Sequence, residues 1–318
     1  MAFHAIHPQS AGPEVGQISD TKQSEKQKRI SRLQLMTLHK TMKEKELDIL
    51  WNTRKYHFLT TAHIKRLHFK AGTTDAANLR AANKCMKRLR ELGLVAPLER
   101  RIGGVRAGSS ALIWHLTEPG ERLLWLDEPD KKHTRKRFEE PSADFLHQTL
   151  AVAEAAVSII TLAECQDGLS IRRLDTDFSY VVRYRDETIS IKPGLYVVLH
   201  WDGYEYHWFV ETAPYWDIVR NLVRRTEKYC KVYQQGAFQG QVGVFPLTVF
   251  MLPDDEQKIK LEQTINEQMP DYIRLFRFTT QDALEKAICA EIGLAFSPHQ
   301  SYACIAPKGI NRGEKEAK

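Results

Sequence analysis

The sequence predicts two consecutive domains, a small α+β unit followed by a mixed-sheet α/β domain, and three observations carry that expectation. Three helical patterns followed by two strand-like pieces fill residues 43–126. A charged, proline-containing break covers residues 127–141. Beyond it, through residue 296, strands alternate with helices after a hairpin, the pattern of a sheet covered by helices. A chain of 318 residues is long for one core and suits two. The net charge of +6 is unevenly spread: residues 1–140 hold 27 Lys/Arg against 16 Asp/Glu, and the remainder 19 against 24. The half that seeks a polyanion is the N-terminal one.

Residues 1–42 are polar and are expected to form a flexible arm. The first helix spans Lys43 to Asn52, with Leu47, Leu50 and Trp51 at the spacing of one buried face. Thr60 or Thr61 caps a short second helix that ends by Gly72. Thr73 or Thr74 caps a third, Asp75 to Leu92, which Gly93 terminates. On that helix Leu79, Ala82, Cys85, Met86, Leu89 and Leu92 share one side, while Ala77, Arg80, Lys84, Lys87 and Arg88 share the other. The strands Val95 to Arg101 and Ala111 to Leu116 flank a glycine-rich turn, and a capped helix from Thr117 to Trp125 closes the unit. This order is that of a winged helix-turn-helix, with Arg100, Arg101 and Arg106 on its wing. Between Arg54 and Arg106 stand thirteen Lys or Arg against three acids, which suits the phosphate lattice of duplex DNA. The competing reading is a solvated helix face, or a winged helix used for protein contacts.

The basic run Lys131 to Arg137 within residues 127–141 reads as an interdomain linker, with a phosphate-tracking segment as the alternative. The second domain opens with a helix, Ser142 to Glu164, apolar nearly all round. Strands are expected at Leu169 to Leu174, Thr188 to Ile191, Leu195 to His200 and Glu205 to Glu211, the last two joined by Asp202-Gly203. A helix from Tyr215 to Gln234, a strand from Pro246 to Leu252, a helix from Glu256 to Met269, a strand from Tyr272 to Phe278 and a helix from Gln281 to Ile292 follow. Residues 297–318 read as a flexible tail.

Five scattered cysteines, none at Cys-x-x-Cys spacing, suggest neither a disulfide framework nor zinc and fit a reducing cytosol. The apolar stretch Ala151 to Cys165 is interrupted by Glu154 and Glu164 and is read as a buried helix, so no membrane partner is expected. The glycines at 103, 104 and 108 lack the Gly-Lys-Ser/Thr ending of a phosphate loop. His57, His63 and His68 read as core-edge or surface residues, and the aromatic hairpin Trp201, Tyr204, Tyr206 and Trp208 as packing before base stacking.

Several stretches resemble the bacterial plasmid replication-relaxation family: Phe58-Leu59-Thr60 to Ile64, Lys87-Arg88-Leu89 to Leu94, and Trp114-His115-Leu116-Thr117 to Gly120. The similarity continues through Ile191-Lys192-Pro193, Phe209-Val210-Glu211 and Lys228-Tyr229 to Phe245-Pro246, about residues 44 to 255. The resemblance implies a DNA-binding protein of a mobile element in a bacterial cytoplasm, acting in plasmid replication or DNA relaxation. It also implies a second domain similar to the restriction-endonuclease-like fold, in which an aspartate after a proline and a glutamate on the next strand hold Mg²⁺. Here Pro193 is followed by Gly194 and Glu211 by Thr212-Ala213, so only Glu211 and Lys228 remain as weak catalytic candidates. Glu154, Asp175 and Asp177 are carboxylates that could substitute, although no spacing demands it.

The expectation is therefore a non-catalytic accessory factor that binds double-stranded DNA through Arg80, Lys84, Lys87, Arg88, Arg100, Arg101 and Arg106, with no cofactor and no metal site. A relaxase or replication initiator is the expected protein partner, and a homodimer is compatible with it. The alternatives are a Mg²⁺-dependent nuclease and a winged-helix transcriptional regulator.

Overall fold

The computed structural model describes residues 30–98, 112–126, 139–214, 217 and 219–296. Part of the expected arm is ordered: Arg32–Thr41 is helix α1. Ser31 and Gln34 form a reciprocal cap, the Ser31 hydroxyl accepting from Gln34 N–H at 3.2 Å and the Gln34 side chain accepting from Ser31 N–H at 2.8 Å. Only Leu35 is fully buried, too sparse an apolar pattern to signal a helix in a polar sequence.

Helix α2 (Glu44–Tyr56), strand β1 (Leu59–Thr60), helix α3 (Thr61–His68), helix α4 (Asp75–Glu91), strands β2 (Val95–Pro97) and β3 (Ile113–Leu116), and helix α5 (Glu118–Leu124) follow, with α1 resting on α5. The strands form one antiparallel sheet in the order β1-β3-β2. Of the alternative caps, Thr60 serves α3, accepting from His63 N–H, and Thr74 serves α4, accepting from Ala77 N–H, both at 3.1 Å. Gly93, at φ 72°, ends α4 and lets Leu94 N–H return to the Leu89 carbonyl at 3.0 Å. Gly120 is demanded by proximity, because a Cβ there would stand 2.1 Å from the Leu94 carbonyl oxygen.

Two expected core residues are surface residues. Trp51 is 40% exposed and meets Trp125 edge-on, with Arg54 over the Trp125 ring at 4.6 Å. Leu79 is 39% exposed, and Asn78 takes its place in the core of α4. The Asn78 carbonyl oxygen accepts from Gly72 N–H at 2.7 Å and so closes the turn between α3 and α4, a polar task that apolar periodicity does not reveal.

The second half begins with α6 (Ala143–Cys165), capped by Ser142. Strands β4 (Ser170–Asp175), β5 (Tyr180–Tyr184), β6 (Glu187–Ile191), β7 (Leu195–Trp201) and β8 (Tyr204–Thr212) come next, then helices α7 (Val219–Gln235) and α8 (Ala237–Val242). Strand β9 (Leu247–Leu252), helix α9 (Asp255–Gln268), strand β10 (Phe276–Thr280) and helix α10 (Leu284–Glu291) complete it. The main sheet runs β10-β9-β8-β7-β4, parallel across β8, β9 and β10 and antiparallel at β7 and β4. Asp202 and Gly203, with φ 50° and 81°, make the hairpin turn between β7 and β8.

Strand β5 and the short α8 are elements the sequence reading lacks. The β5–β6 turn uses Arg185 at φ 53° instead of a glycine, so no turn signal marks it. The strand expected from Tyr272 starts four residues later, because Pro270–Leu275 forms a 3₁₀ turn.

Alternation along the strands gives each sheet face its own cover. Leu195, Val197, Leu199, Trp208 and Val210 pack with α6 and α10, whereas Tyr196, Val198 and Phe209 pack with α7 and α9. Helix α6 is long and apolar enough to cross a bilayer by length and composition. Within the protein it lies between the sheet and α3 of the N-terminal unit. One continuous apolar cluster runs from Leu50 and Met86 through Ala156 to Val249 and Ile288, so the two units share a core across α6.

Candidate nucleic-acid interface and the buried acidic clusters

Helix α4 stands on α3 and β2 through Asn78, Ala82, Met86 and Leu89, which leaves its opposite side outward. Arg80, Lys84 and Lys87 are exposed there. Among the described residues Lys84 meets no acid and Arg80 bonds only the Ala76 carbonyl at 3.2 Å, while Lys87 lies 3.9 Å from Glu91. Arg88 is exposed too, but its guanidinium is tied to Glu46, a carboxylate only 4% exposed on α2. The expected four-residue cationic face is thus, among the described residues, two cations without an acid, Arg80 and Lys84, one in a long surface pair, Lys87, and one in an ion pair with a buried carboxylate, Arg88. Arg100, Arg101 and Arg106, the expected wing cations, lie outside the described residues, as do the glycines of that turn and residues 127–138 of the linker.

Behind α4, α3 is bound to α6 by a polar cluster. His63 Nε2 lies 2.9 Å from Glu154 Oε2, while His63 Nδ1 accepts from Thr60 N–H at 3.3 Å, which leaves Nε2 to carry the proton toward Glu154. Arg66 pairs with the other Glu154 oxygen, donates to Ser158 Oγ at 3.0 Å and approaches Glu285 at 3.7 Å. Burial pushes the Glu154 carboxyl up, yet His63 and Arg66 more than offset it and hold it at about 2. Lys70 pairs with Glu164, and Lys55 Nζ donates to the Leu174 carbonyl at 2.9 Å.

Thr212 faces the α6 side of β8 and lines a cleft of about 270 Å³ with His63, Gln148, Glu154, Pro253 and Gln281. This cleft lies at the carboxyl ends of β8, β9 and β10, the customary ligand side of parallel strands. Glu211 points the other way, to α7. It is 4% exposed, receives Arg225 at 3.0 Å on one oxygen and the Tyr229 hydroxyl at 2.5 Å on the other, and Arg225 also grips Asp217. Burial raises the Glu211 carboxyl, against the pull of Arg225, and burial also raises the Tyr229 hydroxyl well above its usual range.

These contacts do not fit a metal centre built on the expected acids. Both Glu211 oxygens are occupied by protein donors. At Gly194 a Cβ would already meet Val152 Cγ2 at 2.9 Å and the Val210 carbonyl at 3.2 Å, leaving no room for a carboxylate. Lys228 is exposed on α7, and it is Arg225 and Tyr229 that reach Glu211. Of the possible substitutes, Glu154 is spent on α3, and Asp175 binds Arg173 at 2.9 Å and Asp177 N–H at 2.9 Å. Among the described residues no three His, Cys, Asp or Glu side chains gather as a metal site. Arg225 and Tyr229 escaped the sequence reading although they stand one helical turn apart; the signal was a buried-strand glutamate followed by an Arg-x-x-x-Tyr helix.

His68 and Trp208 are packed side chains, whereas His57 is exposed at the end of α2. His68 Nε2 meets Asn52 at 3.0 Å, and burial lowers its pKa to about 4. Trp208 is 3% exposed and fills the core beneath α6, whereas Tyr204 at the turn is 67% exposed.

A family model described as replication-relaxation matches residues 51–248, from α2 to the start of β9. Neither the curated proteins nor the solved structures contain a significant match.

Proposed function

The family match spans more than half of the chain, which therefore belongs to the replication-relaxation family, and on that premise we propose that it is a duplex-DNA-binding accessory factor in plasmid replication or relaxation. The N-terminal unit is read as a winged helix-turn-helix, on the strength of its α2-β1-α3-α4-β2-β3 order and its β1-β3-β2 sheet. Helix α4 is the recognition helix. The observation that carries this is the outward stripe Arg80, Lys84 and Lys87, which among the described residues has only the 3.9 Å approach of Lys87 to Glu91, while α3 behind it is covered by α6. Neutralised phosphates release condensed counterions, so each contact contributes about 0.9 to the slope of log affinity against log salt.

Changing all three residues to Ala should lower that slope by roughly 2.7 while the circular dichroism spectrum stays unchanged. Fluorescence anisotropy of a labelled duplex across a salt series reads the slope. An unchanged slope in the folded variant would remove α4 from the interface.

The α/β unit is read as a restriction-endonuclease-like scaffold without cleavage chemistry, supported by the closed Glu211 site and the filled space beside Gly194. Supercoiled plasmid incubated with the protein and Mg²⁺ or Mn²⁺ should stay supercoiled. Nicking that vanishes in Glu211→Ala would overturn the non-catalytic reading.

A further inference from the structure

Helix α7 carries a second cationic stripe, on a unit whose overall balance is acidic. Its inner side packs Leu222, Val223, Thr226, Tyr229 and Cys230 toward the sheet. On its outer side Arg220, Arg224 and Lys228 recur every fourth residue, all exposed, and among the described residues none of the three enters an ion pair or a hydrogen bond. Glu227 is the single acid on that side, and Lys231 extends the stripe while pairing with Glu187 at 2.7 Å.

Helix stability does not account for this arrangement. The peptide dipole favours acids in the first turn and cations in the last. In α7 the first turn has no acid, the last has no base, and Arg220 and Arg224 crowd the positive end. By contrast α4 has Asp75 first and Arg88 and Arg90 last, the stabilising order. The acid just ahead of the helix, Asp217, is taken up by Arg225 and Asn221, so Arg220, Arg224 and Lys228 are exposed cations without acidic partners among the described residues.

The stripe also has a defined position. Helix α7 covers the sheet face opposite α6, and α6 is the helix on which the N-terminal unit docks. The sheet therefore stands between α7 and the helix-turn-helix. Successive cations rise about 6 Å along α7, so three of them span about 12 Å, within reach of neighbouring phosphates of one strand.

We infer that α7 is a second phosphate-contact surface, holding a duplex segment other than the one docked on α4. The protein then joins two DNA segments. This rests on the reading of α4 as the first DNA surface.

The test uses full-length protein, one biotinylated duplex on beads and a second, fluorescent duplex in solution. Wild type should retain the first and capture the second. The variant with Arg220, Arg224 and Lys228 all changed to Ala should retain the bead duplex through α4 yet capture at least tenfold less of the second. Lysine at positions 220 and 224, with Lys228 kept, should restore capture above the alanine variant, because an ammonium still meets phosphate as a point charge. Capture undiminished in the folded alanine variant would overturn the inference, and would also identify bridging through two copies of α4. Wild type that retains the bead duplex without capturing another overturns it while leaving the α4 reading intact. Wild type that retains no duplex overturns both.

Discussion

Helices α3 and α4 are neighbours in one small unit and both are cationic, yet their charges do different work. Lys65, Arg66 and Lys70, on or just beyond α3, each hold a carboxylate: Asp75 at 2.6 Å, Glu154, and Glu164. On α4, among the described residues, Arg80 and Lys84 hold none, and Lys87 has only a distant one. Charge density alone does not separate the two cases. The difference lies in what stands opposite: α3 faces α6, which supplies Glu154 and Glu164, whereas the outer side of α4 faces solvent. Arg66 and Lys70, which meet the acids of α6, fix how the two units are joined, and cations that meet no acid among the described residues remain available to a ligand.

The same distinction ranks the effects of removing charges. The largest belongs to the deepest carboxylate. Glu211→Ala leaves Arg225 and the Tyr229 hydroxyl without their shared acceptor beneath α7, and breaking a buried pair from one side costs about 3 kcal/mol. Urea unfolding should show this loss, with Glu211→Gln retaining part of it through an amide oxygen. Equal stability of wild type and the alanine variant would mean that the cluster is not closed as described.

Next comes the α3–α6 junction. Arg66→Ala strips Glu154 and Ser158 of a donor at a site less shielded from water, and should cost about 2 kcal/mol. The junction also sets a pH response. Because the folded Glu154 carboxyl is held at about 2, below its ordinary 4.5, its contribution is complete above about pH 4.5 and is lost as the pH falls toward 2. Glu211 runs the opposite way, since its carboxyl is raised and acid relieves its burial. Acid unfolding followed by tryptophan fluorescence should therefore be less pH-dependent between about pH 4.5 and pH 2 in Glu154→Gln. A slope identical to wild type would exclude Glu154 as the sensitive group.

The sequence exposes whatever is local and periodic. Thr60, Thr74, Thr117 and Ser142 occupy helix starts, Gly93 ends α4, and Asp202-Gly203 turns a hairpin, each for reasons contained within a few residues. The apolar girth of α6 likewise implied burial on more than one side. What it was buried against was not legible, because α3 lies about 90 residues away in the chain. The candidate site divides in the same way: Arg80, Lys84 and Lys87 follow from helical spacing, but the commitment of Arg88 to Glu46 depends on how α2 crosses α4. Glu211 was visible as an acid in an apolar strand; its closure by Arg225, Tyr229 and Asp217 is tertiary.

The smallest effect makes the sharpest comparison, since it separates two adjacent residues of the same charge. Lys87 is 77% exposed, and its loss should leave stability unchanged while removing one phosphate contact, a decrease of about 0.9 in the salt slope. Arg88 is 45% exposed but carries the charge that faces Glu46, whose other oxygen already accepts the Lys43 N–H at 3.0 Å. Its removal leaves a buried carboxylate with only that amide, at a cost of about 1 kcal/mol once screening by water is allowed for. The salt slope for duplex binding should not change. The two alanine variants thus form a crossed pair, one altering binding without stability and the other stability without binding. If Arg88→Ala lowers the slope as much as Lys87→Ala, the Glu46 pair gives way to phosphate in the complex, and α4 offers DNA the wider cationic face that helical spacing first suggests.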